Sequence, residues 1–402
     1  MGIFRVKAFW VDNRKRKAYN TAMEQRIYFD HAATTPLHTA ALQKMLPYLT
    51  DCFGNADSPH AIGRKAMGAV DEARDIVAKL INANKNEVYF TSGGTEADNW
   101  ALLGGAYAKK KEGRDEVVVS AIEHHAVLSA AERLEKAGFT VRYLPVNDRG
   151  MVEVNEIEKA VTEKTAIVAL MAANNETGAL QPIAEAEKIA HEKGALFFTD
   201  AVQYAPYFAM DVKKMGVDML AFSGHKFYGP KGVGVLYIKN GVKIEKLVGG
   251  GEQERGLRGG TLNVAGIVAL ATAYEIACQD REENNAKIEN LTKLFMEKLA
   301  CAKGITRNGT GDNAIPGVLN LRFAGVENTS FLFNMDLNGV CLAAGSACAS
   351  ASVKPSHVLT AMGLTEREAK ESVRFSFGKN NTKEEILRGA ELAKTFIEKL
   401  RG

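Results

Sequence analysis

The chain has 402 residues, 46% hydrophobic and 25% charged, enough for a large core and a second, smaller domain. Lys and Arg exceed Asp and Glu by only 51 to 48, and the body of the chain holds no basic block interleaved with aromatics, so direct nucleic acid binding is not expected. The longest apolar runs, such as residues 166–173, fall far short of the roughly 20 residues that cross a bilayer. Five scattered cysteines without a CxxC pair argue against a disulfide framework or a metal cluster and favour a reducing, cytoplasmic setting. Residues 1–22 carry six basic residues (Arg5, Lys7, Arg14, Lys15, Arg16, Lys17) against Asp12. A transit peptide is one reading. The absence of an apolar cleavage region and an alternative start at Met23 favour a tail of unknown role, followed by an N-terminal arm over 23–37.

From 87 to 239 short β-branched or aromatic runs alternate with helical stretches, which predicts βα units around a mostly parallel sheet. Strands are predicted at 88–91, 117–120, 165–171, 196–199, 219–223 and 234–238. Helices are predicted at 96–109, 127–137 and 183–193, where apolar residues recur at three- and four-residue spacing. A long helix over 267–299 closes the large unit, and 304–316 reads as loop. Strand signals return at 318–323, 339–343 and 373–377, and Thr382-x-x-Glu385 forms a capping box that opens a C-terminal helix. The expected fold class is α/β: a large domain over 38–277 with a mostly parallel sheet flanked by helices, and a smaller C-terminal α/β domain over 278–402.

Three strand ends carry the chemistry. Phe90-Thr91-Ser92-Gly93-Gly94-Thr95-Glu96 passes from strand to helix through two glycines, a turn whose free amides suit phosphate, although such junctions also serve as plain connections. Phe198-Thr199-Asp200-Ala201-Val202-Gln203 ends a buried strand in an acid at the edge where ligands of open α/β sheets bind. Asp200 either caps the next helix or faces a cation, and a protonated pyridine nitrogen would be one, with Gln203 reaching the ring's phenolic oxygen. Ala221-Phe222-Ser223-Gly224-His225-Lys226 places one lysine directly after a strand, as an amine that forms a Schiff base requires, with Ser223 and His225 as phosphate contacts. Lys231 competes, but Gly-Pro-Lys-Gly makes it a turn residue.

In order, Gly-Gly-Thr, Glu-His-His, Asn-Asn-Glu, Asp-x-x-Gln and Ser-Gly-His-Lys resemble the fold-type-I PLP-dependent transferases, and more narrowly the cysteine desulfurases of the nitrogen-fixation and iron-sulfur-assembly type, in the class V aminotransferase family. Matching stretches run from Ile27-Tyr28-Phe29-Asp30-His31 to Arg374. The resemblance implies pyridoxal 5'-phosphate as cofactor, held by Lys226, with Gly94, Thr95, Ser223 and His225 at its phosphate, Asp200 and Gln203 at its ring, and His124 stacked on the ring as a proton relay. His125 is the alternative to His124. Asn175 would contact the ring and the substrate carboxylate, although Asn174 and Asn175 also read as turn formers. Arg374 would take the carboxylate of L-cysteine, unless it pairs with a protein acid.

The loop from Gly249 to Thr261 matches the family's glycine-rich loop, whose threonine completes the phosphate site of a neighbouring subunit, so a homodimer is implied; Glu252 stands where a further glycine is expected. Leu342-Ala343-Ala344-Gly345-Ser346-Ala347-Cys348-Ala349-Ser350 is a run of small residues around one thiol and reads as a mobile loop. By resemblance Cys348 receives sulfur as a persulfide, leaving L-alanine, and hands it to acceptor proteins for iron-sulfur assembly or tRNA thiolation. Cys278, Cys301 and Cys341 read as buried apolar side chains, and Cys52 is undecided.

Overall fold

The computed structural model describes residues 26–345 and 355–401. Its strands, in chain order, are β1 (Ile27–Tyr28), β2 (Val88–Thr91), β3 (Glu116–Ser120), β4 (Thr140–Leu144), β5 (Thr165–Ala169), β6 (Leu196–Asp200), β7 (Met219–Ser223), β8 (Gly234–Ile238), β9 (Ile305–Asn308), β10 (Val318–Phe323), β11 (Val340–Cys341) and β12 (Ser372–Ser376). Seven of them form one sheet in the order β2-β8-β7-β6-β5-β3-β4. β8 runs antiparallel to both neighbours, and the other pairings are parallel. The carboxyl ends of β2, β3, β5, β6 and β7 therefore open on one edge.

Side chains along these strands alternate between two apolar layers, as the two-residue period requires. Val117, Val119, Phe198 and Ala221 pack against helices Gly94–Lys110 and His125–Lys136, through Trp100, Leu102, Val127 and Leu134. Val118, Phe197, Leu220 and Phe222 pack the other way, with Val70 and Val77 of helix Ala61–Leu80 and Leu270 and Tyr274 of helix Val264–Gln279. A sheet covered on both faces needs apolar residues throughout, which is why β5 to β8 read as unbroken apolar runs.

A smaller antiparallel sheet, β12-β10-β9, lies against helices Arg281–Leu299 and Lys383–Arg401 around Phe295, Phe323, Phe331, Phe375 and Phe377. Phe29 of the arm enters this core, and β1 pairs with β11. The predicted capping box forms: Glu385 accepts from the Thr382 amide at 3.1 Å and the Thr382 hydroxyl from the Glu385 amide at 3.2 Å.

Two expectations are corrected, and two strands were not foreseen. The single helix over 267–299 is two, Val264–Gln279 and Arg281–Leu299, broken at Asp280. The first is buried along most of its length in the large core, whereas the second is polar and turns one apolar stripe to the small sheet, so one straight axis cannot serve both. The stretch 304–316 contains β9, and β1 and β4 were not foreseen. Among the described residues no helix is long and apolar enough to cross a membrane.

Candidate active site

A cavity of about 210 Å³ opens at the carboxyl edge of the large sheet. Gly94, Thr95, His124, Asn175, Asp200, Gln203, Ser223, His225, Lys226 and Arg374 all line it, so the sequence motifs converge on one place. Of the remaining predicted residues, Thr261 is exposed and is not part of this lining. Cys348 lies outside the described residues.

At one end stands the turn after β2. Gly93 has φ 154° and ψ −177°, a conformation open essentially to glycine, and it starts helix Gly94–Lys110 without a side-chain cap. The first amides of that helix, at Gly94 and Thr95, have no partner in a preceding turn, and with the helix dipole they favour an anion. Ser223 and His225 approach from the end of β7, and His225 Nδ1 lies 3.1 Å from the Thr34 hydroxyl. Burial pushes the His225 pKa down to about 4, so the ring is neutral and can donate one hydrogen bond. Glu96 fastens this turn to the glycine-rich loop: its carboxylate accepts from the Ser92 amide and, in a fork at 2.7 and 3.0 Å, from Arg258.

At the centre, Asp200 ends β6 with one oxygen on the Val202 amide at 2.8 Å. Burial raises its pKa to about 6, with the Val202 amide and Lys226 working in the opposite direction. Lys226 donates to the carbonyls of Ala32 and, at 3.0 Å, Ala33, while the competitor Lys231 is exposed. Gln203 also donates to the Ala32 carbonyl, at 2.8 Å, through one of its two N–H groups, which leaves the second N–H and the amide oxygen to meet a ligand. Ala32 and Ala33 of the arm thus form a wall of the cavity that the strand-end motifs alone did not foretell.

His124 precedes helix His125–Lys136, and its Nδ1 accepts the Ala126 amide at 3.1 Å. That bond fixes the neutral tautomer with the proton on Nε2. Burial, with Lys226 nearby, holds its pKa down at about 4. His125 instead packs on His357, ring centroids 4.5 Å apart. The Asn pair divides likewise: Asn174 is fully buried and its side chain closes the turn by accepting from Glu176 and Thr177, while Asn175 faces the cavity. Arg374, 1% exposed, pairs with Asp30 at 2.8 Å and donates to the Asn175 carbonyl at 2.9 Å. Arg374 thus has a protein acid as partner and also lines the cavity, where among the described residues its buried Nε has no partner, so the pair with Asp30 does not exclude a ligand.

Two further acids, Asp98 and Glu123, are buried beside Asp200 and were not foreseen. Of the other cysteines, Cys301 is exposed and Cys278 and Cys341 are half-buried, contrary to expectation, and Cys52 is buried. Cys301 follows the end of the polar helix Arg281–Leu299, where no apolar layer is available to cover it.

Residues 27–388 match the family model for class-V aminotransferases. "Cysteine desulfurase IscS" of Clostridium botulinum is 47% identical over 90% of this chain and 92% of its own length. The protein of the same name from Methanosarcina thermophila is 43% identical over 95% of each chain. Among solved structures, a "NifS-like protein" superposes with TM-score 0.87 at 36% identity, over 93% of this chain and 99% of its own. "SspA in complex with cysteine" superposes with TM-score 0.78 at 35% identity, over 89% of this chain and 100% of its own. With its site residues gathered in one cavity and the family model matched over 27–388, the chain belongs to the class-V aminotransferase family, in its cysteine desulfurase branch.

Proposed function

We propose that the protein is a pyridoxal 5'-phosphate-dependent cysteine desulfurase, which removes sulfur from L-cysteine and releases L-alanine. The convergence of Lys226, Asp200, His124 and the open helix start at Gly94 on one cavity carries this reading. The donor set fits the cofactor: amides at Gly94 and Thr95 with Ser223 and His225 for a phosphate, Asp200 for a protonated ring nitrogen, and a lysine amine between them. When bound, the cofactor acts as an electron sink for charge left on the substrate α-carbon.

The chain's own groups do the rest. Asp200 would keep a bound ring's nitrogen protonated, and Gln203 and Asn175 would hold its oxygen. His124 holds a proton at Nε2 and would lie against the ring. Arg374 and Asn175 orient the substrate carboxylate, and Lys226 takes the α-proton. The Cys348 thiolate then attacks the substrate sulfur: the new S–S bond forms as Cβ–S breaks, the electron pair goes to the β-carbon, which is protonated, and Lys226 returns a proton to the α-carbon, yielding L-alanine. The persulfide passes to acceptor proteins for iron-sulfur assembly or tRNA thiolation. A cytoplasmic homodimer, with Thr261 serving the neighbouring subunit's phosphate, completes the proposal.

The test supplies L-cysteine to the cofactor-loaded protein and measures alanine and sulfide with and without a reductant. Equal yields with a reductant, and a persulfide adduct on Cys348 without it, are expected. Lys226→Ala should abolish turnover. Sulfide release by Cys348→Ala at the normal rate would defeat the persulfide route.

A further inference from the structure

Two buried carboxyl groups, Asp98 and Asp200, line the cavity, a third, Glu123, is buried within their electrostatic reach, and the reaction proposed above uses one of the three. Asp98, within helix Gly94–Lys110, is 1% exposed and lines the cavity, and its Oδ1 finds no hydrogen-bond partner among the described residues. Glu123, also 1% exposed, accepts at Oε1 from the Ser120 hydroxyl at 2.6 Å and the Met171 amide at 2.7 Å, while Oε2 is unpartnered among the described residues. Asp200 interacts electrostatically with both.

The cationic side chain facing this group is Lys226, next to Asp200; His124, also on the cavity wall, is neutral, and Arg374 pairs with Asp30. Each carboxylate left uncompensated in such a site costs several kcal/mol, so three charges against one ammonium are not sustained. The three acids are not equivalent. Asp200 alone has both a backbone amide and Lys226 favouring its charged form. For Asp98 every influence runs the other way: burial, then Asp200, then Glu123, all raise its pKa. Two adjacent carboxyls of unequal surroundings divide the roles of acid and base between them.

We propose that Asp98 is a positioning residue that works as a neutral acid: it keeps the proton of the Asp98–Asp200 pair, so that Asp200 alone presents negative charge to the cofactor's ring nitrogen. The inference rests on the cofactor reading above. In proton terms, the pair holds one proton before and after the cofactor binds. The ring nitrogen brings its own proton to Asp200, and nothing is released from Asp98. The side chain needed at 98 is therefore a polar, uncharged one.

The experiment applies one substitution at two positions. Apoprotein of the wild type, Asp98→Asn, Asp98→Ala and Asp200→Asn is titrated with pyridoxal phosphate, and affinity and bound-cofactor absorbance are recorded across pH. Asp98→Asn should bind within about threefold of wild type with the same spectrum and pH midpoint, whereas Asp98→Ala should weaken binding about tenfold, as loss of one buried polar contact does. Asp200→Asn should lose at least as much and shift the absorbance. In the loaded proteins, the infrared stretch of a protonated carboxyl should be present in wild type and diminished in Asp98→Asn. The inference is overturned if Asp98→Asn loses as much affinity as Asp200→Asn, if Asp98→Ala binds like wild type, or if no such infrared difference exists. A wild type that binds no pyridoxal phosphate would instead defeat the cofactor reading itself.

Discussion

Burial sets the charge state of several groups around the cavity, and it works in opposite directions on acids and bases. His124 and His225 are held neutral, their pKa values pushed to about 4, while Glu123 is pushed up to about 8. A carboxyl raised by folding binds a proton that the unfolded chain has already released, so its contribution to stability is complete below the ordinary value of 4.5 and is lost as pH rises towards about 8. Glu123→Gln removes that dependence but keeps the oxygen that accepts from Ser120 and Met171. The melting temperature of Glu123→Gln relative to wild type is therefore expected to rise between pH 6 and pH 8, by the equivalent of up to about 3 kcal/mol. A difference constant across that range in thermal melts would mean that Glu123 does not titrate there. None of this was legible in the sequence. Lys226, Asp200 and His124 announce themselves because each follows a strand, whereas Asp98 sits mid-helix, where an acid ordinarily faces solvent, and Glu123 hides beside a histidine that takes the attention. Asp30 was quoted within a matching stretch, but only the fold brings it to Arg374.

Elements were readable in proportion to how much apolar surface they bury. β5 to β8 are buried on both faces and were placed to within a residue or two. Three strands escaped: β1 is only two residues long, and β4 and β9 are edge strands in which neither sequence presents an apolar run. Between the central elements the packing reaches backbone contact. A Cβ placed on Gly234 of β8 would stand 2.7 Å from the Cα and carbonyl carbon of Gly93, at the turn that opens helix Gly94–Lys110 beside the cavity. Gly234→Ala must therefore push that turn away, at a cost of about 1–3 kcal/mol as overpacking typically exacts. The amides of Gly94 and Thr95 move with it. Pyridoxal phosphate affinity, read by absorbance titration, is expected to fall tenfold or more, and the melting temperature to drop. Unchanged affinity would show that the turn yields without disturbing the amides.

At the scale of the whole molecule, the sequence-derived residue that does not join the cavity is as informative as those that do. Thr261 ends the glycine-rich loop, is exposed, and is not part of its own chain's cavity lining, although Arg258, three residues earlier, is forked onto Glu96 in the first turn of helix Gly94–Lys110. Leu42, Leu46, Leu49, Phe53 and Ile62 are likewise exposed, a concentration of apolar side chains within 21 residues that a second subunit would cover. If Thr261 serves the partner's phosphate, Thr261→Ala should weaken cofactor binding by roughly 10- to 100-fold, the worth of a hydrogen bond to a charged group. Mixing makes the argument decisive. A hybrid dimer of one Lys226→Ala subunit and one Thr261→Ala subunit has one site in which the intact lysine meets the partner's intact threonine. At cofactor concentrations too low to load Thr261→Ala alone, the purified hybrid should therefore recover about half the wild-type turnover. If Thr261 acted within its own chain, both sites would be damaged and the hybrid would recover nothing.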